Sequence, residues 1–103
     1  AATEPAFRAE VAAIMALEDA RRDRLARIVA DPASARPEEV TIELIDKVAT
    51  AQLGRNVAGT VQVAGLVCHR AYIRADDAPD AQTRAEPTLA CWWHDADGTR
   101  HGD

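Results

Sequence analysis

The sequence predicts a mainly α-helical domain. Three observations carry that expectation. Hydrophobic residues make up 48% of the 103 positions, with alanine, a strong helix former, the commonest among them. Two stretches, about Pro5 to Ala30 and Pro37 to Leu53, repeat apolar residues at helical spacing. Each ends at a helix-stop signal, Asp31-Pro32 and Gly54. The predicted architecture is two long antiparallel helices, a third apolar segment and a Trp-bearing C-terminal segment packed across them, with 1–103 as one domain. The alternative is α+β, winged-helix-like, with residues 60–74 and 88–94 paired as a C-terminal β-hairpin.

In the first helix Thr3 or Glu4 is placed to cap and Pro5 stands in the first turn. Phe7, Val11, Ile14, Leu17, Leu25, Ile28 and Val29 recur at helical offsets. Glu18, Arg21 and Arg22 fall on the same face, so the apolar stripe has a charged waist. DPASARPEE connects to the second helix. There Val40, Ile42, Leu44, Ile45, Val48, Ala49, Ala51 and Leu53 cover more than half the circumference, which predicts packing on two sides.

From Asn56 to Arg74 two periods compete. Val57, Val61, Ala64, Cys68, Ala71, Tyr72 and Ala75 form a helical stripe. Val61, Val63, Val67, Ala71 and Ile73 alternate with Thr60, Gln62 and Arg70 as in a strand. Length and alanine content favour the helix, and β-branching favours the strand. DDAPDAQTRAEP (76–87) reads as a polar linker, TLACWWH (88–94) as the last apolar segment, and DADG (95–98) as a turn.

The formal net charge is −5, from 17 acidic and 12 basic residues. An acidic chain is repelled by phosphate backbones unless its basic residues cluster. Arg21, Arg22, Arg24 and Arg27 do cluster, but Glu18, Asp19 and Asp23 interleave with them. A salt-bridged helix face is the expectation, and nucleic acid is not the expected partner. No run is long enough to span a bilayer and no secretory leader is legible, so the expectation is a cytoplasmic protein with reduced Cys68 and Cys91.

The candidate chemistry is sparse. Cys68-His69 and Cys91-Trp-Trp-His94 contain four zinc-ligand types, but adjacent Cys-His is a poor chelating pair, so no metal and no cofactor are expected. No nucleophile–base pair and no glycine-rich phosphate loop is present, so no catalytic residue is assigned. Trp92 and Trp93 carry the largest buriable area in the chain. Neighbours on a regular element point different ways, so one packs and the other is left partly exposed or anchors a partner. Glu18 with Arg21 or Arg22 is suited to an ion pair within the helix or to a partner's carboxylate.

Two partial resemblances add alternatives. Glu38, Glu39, Glu43 and Asp46 form E-E-x-x-x-E-x-x-D, which resembles the carboxylate helix of all-α nucleotide pyrophosphohydrolases. The resemblance implies magnesium held on that face; read from the residues alone, the face is solvated, with a Glu43–Lys47 pair. LGRNVAGTV resembles the L-G-x-x-x-x-T-V run of winged-helix regulators, with one extra residue before Thr60-Val61. That resemblance implies a DNA-reading helix bearing Arg55, Asn56, Thr60 and Gln62, followed by a two-stranded wing. The reading preferred is a non-enzymatic interaction or assembly protein whose partner is itself or another protein, with Trp92, Trp93, Glu18, Arg21 and Arg22 as candidate partner-binding residues.

Overall fold

The computed structural model describes residues 3–73 and 87–102; the linker reading at 76–87 therefore lies, apart from Pro87, outside the described residues. The order is α1 (Glu4–Ala30), two short 3₁₀ turns (Pro32–Ser34 and Pro37–Glu39), α2 (Ile42–Leu53), then strands β1 (Gly59–Val63), β2 (Leu66–Ile73), β3 (Thr88–His94) and β4 (Arg100–Gly102). The strands form one antiparallel sheet in the order β1-β2-β3-β4. The fold is α+β, which overturns the mainly α expectation of two long antiparallel helices; the α+β alternative is closer.

α1 begins where its cap chemistry dictates, with the Thr3 hydroxyl accepting from the Ala6 N–H. α2 starts later than the apolar period suggested. Val40 and Thr41 are extended, and the Thr41 hydroxyl accepts from the Leu44 N–H at 3.1 Å. Pro37 opens a separate 3₁₀ turn instead. α2 ends at Gly54, whose φ of 121° only glycine adopts readily.

The segment expected to be a third helix is β1 and β2. The decisive feature is the Ala64-Gly65 turn, with φ of 55° and 75°, which closes a two-residue hairpin between Val63 and Leu66. Positive φ at both central residues is the type I′ pattern that matches strand twist. The turn also resets the alternation. Val61 and Val63 are buried on β1, but Cys68 and Arg70 are buried on β2, while Val67 and Ile73 are exposed. A single alternating pattern drawn through residues 60–74 places Arg70 on the wrong face. The winged-helix resemblance fails at the same place: after Gly54 the chain enters β1, so Thr60 and Gln62 lie on a strand and not on a recognition helix.

The core is one face of the sheet against α2. It contains Leu44, Ile45, Val48 and Ala49 from α2, Val61 and Val63 from β1, Cys68 from β2, and Cys91 and Trp93 from β3, with Ile28 from the end of α1. Burying the Leu, Ile and Val side chains among them is the main stabilising term, about 1.5–3 kcal/mol each. Arg70 is the exception, a cation only 1% exposed. Its Nη1 donates to the Asp46 carbonyl (3.2 Å), the Asp46 carboxylate (3.0 Å) and the Thr50 hydroxyl (2.7 Å). Its Nη2 donates to the Gly54 carbonyl (2.7 Å) and its Nε to the Val57 carbonyl (2.9 Å). The guanidinium thus ties α2, from Asp46 to Gly54 at its C-terminal end, where the helix dipole favours a cation, to the strand that packs beneath it.

α1 does not share this core beyond its last two turns. Every residue from Thr3 to Asp23 is exposed, and burial begins only at Arg24, Leu25, Ile28 and Val29. Twenty-seven residues of helix span about 40 Å. The molecule is correspondingly elongated, 53 × 37 × 29 Å. Among the described residues, no helix is long and apolar enough to cross a membrane.

Candidate functional site

α1 leaves the domain through a set of arginine–carboxylate bonds. Arg24 forks onto Glu39, with Nε to Oε2 and Nη2 to Oε1 both 2.8 Å. One turn earlier Arg21 donates to Glu43 at 2.6 Å. The Arg24 side chain and the Arg36 backbone N–H, 2.9 Å away, hold the Glu39 carboxyl down at about 2, against an ordinary 4.5. A depressed carboxyl contributes stability above its unfolded value, and that contribution is lost as pH falls from about 4.5 toward 2. Glu39→Gln should therefore be less stable than the wild type at neutral pH, with the gap in urea midpoint closing through that acid window. A gap that stays constant down to about pH 2 would show that the fork contributes nothing through ionisation.

Beside these bonds an open groove of about 760 Å³ lies between the helices. Leu25, Ala26 and Val29 of α1 and Ala51 of α2 supply its apolar surface. Glu18, Arg21 and Arg22 line it as well, so all three charged residues singled out from the sequence come together here. Arg22 meets only exposed partners, Asp19 at 3.2 Å and Asp23 at 3.9 Å, and such pairs contribute little. Glu18 makes no ion pair with another described residue.

The apolar stripe of α1 continues from this groove into solvent. Phe7 is 59% exposed, Ile14 56% and Leu17 72%, with Val11 and Met15 also open. The periodicity of these residues was legible, but it implied a core face. The charged waist was the signal to the contrary: a stripe buried against its own chain would not carry an acid and two bases at its centre.

The two tryptophans do not belong to this surface. Trp93 is 9% exposed and packs in the core, its outer edge stacked on His101 with centroids 5.3 Å apart. His101 in turn meets Asp95 at 2.5 Å. Trp92 lies on the opposite face of the sheet, half-buried, stacked on His69 at 5.3 Å with the Arg100 guanidinium 5.3 Å from its ring centre. Strand alternation likewise separates the cysteines from the histidines. Cys68 and Cys91 are buried on the core side, neither in a disulfide, while His69 pairs across the sheet with Trp92. Burial pushes the Cys68 thiol up to about 11 and keeps it neutral. Among the described residues, no group of three or more His, Cys, Asp or Glu is placed to hold a metal ion.

No protein-family model, curated protein or solved structure matches this chain. The carboxylates that the pyrophosphohydrolase resemblance would give to magnesium are each bonded to an arginine: Glu38 to Arg36, Glu39 to Arg24, Glu43 to Arg21 and Asp46 to Arg70. Arg21 and Arg24 of α1 are taken up by Glu43 and Glu39, which leaves the groove and the free stripe of α1 as the surface with most to offer a partner.

Proposed function

We propose that this protein is a non-enzymatic assembly protein that docks through α1. One observation carries the reading: more than five turns of helix project from the domain with an apolar stripe exposed along them, and that stripe runs into an open groove. A lone helix in water is marginal and takes most of its stability from packing of its apolar face. A contiguous exposed apolar surface of this kind marks an interaction site. The small, alanine-rich composition fits a chain that enlarges its core by association.

The test joins mass to protection. Sedimentation velocity from about 1 to about 50 μM, a range suited to specific association, is expected to show mass above the monomer. Hydrogen exchange over residues 4–23 should slow as that mass appears. A stable monomer across the range, with those amides exchanging as in free peptide, would overturn self-assembly.

A further inference from the structure

We propose that the occupant of the α1–α2 groove is α1 of a second copy of this chain, running antiparallel about a two-fold axis, with Glu18 of each copy against Arg22 of the other. The inference rests on the docking role of α1 and names its partner.

Val11, Met15, Glu18, Arg22, Leu25 and Val29 stand alternately four and three residues apart. That is the seam of a two-helix coiled coil. Laid antiparallel on itself with the axis at residue 20, this seam matches in every layer. Val11 meets Val29, Met15 meets Leu25, and Glu18 meets Arg22, each pair occurring twice. An isologous contact needs this self-complementarity. The parallel arrangement in register would set Glu18 against Glu18 and Arg22 against Arg22, which is repulsive.

The structure leaves these residues open for such a contact. Val11, Met15, Glu18 and Arg22 are exposed, and Leu25 and Val29 are only partly covered. Glu18 lacks an ion pair among the described residues, and Arg22 has only exposed ones. Arg21, the other candidate base, is bonded to Glu43 on α2 at 2.6 Å, so the register through Arg22 leaves that link between the helices intact and competes only with exposed pairs within α1.

The groove then receives what flanks the seam. Phe7, Ile14, Arg21 and Ile28 are seven apart and share one side of α1. That side faces α2, because Arg21 bonds Glu43 and Ile28 joins the core with Leu44 and Ile45. In an antiparallel pair the same flank of each helix faces the other copy. Ile14 and Phe7 of the second copy therefore come over the groove, against Ala51 and the other small or apolar groups that line it. The result is a bundle with two copies of α1 at its centre and one α2 on each.

Charge exchange tests the register. Glu18→Arg and Arg22→Glu each place like charges in both central layers of their own homodimer. Each alone is expected to weaken self-association at least about tenfold, since like charges facing at an interface are costly. An equimolar mixture of the two variants restores it, because the arginines of one copy then face the glutamates of the other in both layers. Pairing within one helix cannot give that rescue, which needs two chains. Circular dichroism controls for folding, which these exposed sites should not disturb. Single variants that associate like the wild type, or a mixture no tighter than its components, would overturn the register. If α1 is still protected from exchange in those samples, docking survives and only this partner geometry fails. If the wild type is itself monomeric with α1 unprotected, both fall together.

Discussion

Replacing Arg70 by methionine is expected to destabilise the fold by about 3–5 kcal/mol, because an acceptor left without its donor costs about 1–3 kcal/mol and Arg70 serves several. The loss comes less from charge than from orphaned acceptors. Arg70 donates to the carbonyls of Asp46, Gly54 and Val57 and to the Thr50 hydroxyl, groups spread from the middle of α2 to the passage into β1. Methionine fills a similar volume but donates nothing, so each acceptor must find water or break open. Lysine should rescue poorly, because one ammonium on a flexible stem cannot reach acceptors spread over three sides of a planar guanidinium. Urea denaturation of wild type, Arg70→Met and Arg70→Lys, compared at constant m-value, checks this. A loss below about 1 kcal/mol for methionine would mean that the interior relaxes enough to satisfy those carbonyls without the side chain.

Trp93→Ala should cost about as much, roughly 3–5 kcal/mol, by opening a cavity between α2 and the sheet. Trp93 pairs with Cys68 across β2 and β3, lies in the core cluster and is capped by His101. The cost of Trp92→Ala should be less than half as large, because Trp92 stands half-buried on the other face against His69. Thermal or urea unfolding of the two variants over a hundredfold range of protein concentration separates the explanations. The Trp93 loss should be the same at every concentration, since the ring packs within its own chain. Equal losses for both tryptophans, or a Trp93 loss seen mainly on dilution, would contradict the placement of Trp93 in the core.

Local chemistry determined the parts of this fold that depend on neighbours in sequence. The Thr3 cap, the stop at Asp31-Pro32, the end of α2 at Gly54 and the apolar period of both helices were all legible, because caps, prolines and glycines act within one turn. That Trp92 and Trp93 point different ways was legible too, but which of them packs was decided by the sheet. The charged waist was legible too, and it lies at the candidate site. The Thr41 cap is hidden in the sequence because Val40 and Ile42 continue the apolar pattern through it, although the side chain of Thr41 closes the first turn of α2.

Tertiary structure decided the rest. Whether residues 59–73 are strand or helix turned on pairing: β1 and β2 close on each other through Ala64-Gly65, and β3 joins β2 from Thr88 onward, and such pairing leaves only a weak local trace. The Ala64-Gly65 turn reversed which side chains face inward, and a one-residue change of parity moves a whole strand to the other face. That is why Arg70 looked solvent-facing and is instead the anchor of α2. The fate of α1 was decided in the same way. Its period specifies a helix with one apolar face, but only the position of α2 and the sheet determines how much of that face the chain itself can cover, and they reach no farther than its last two turns.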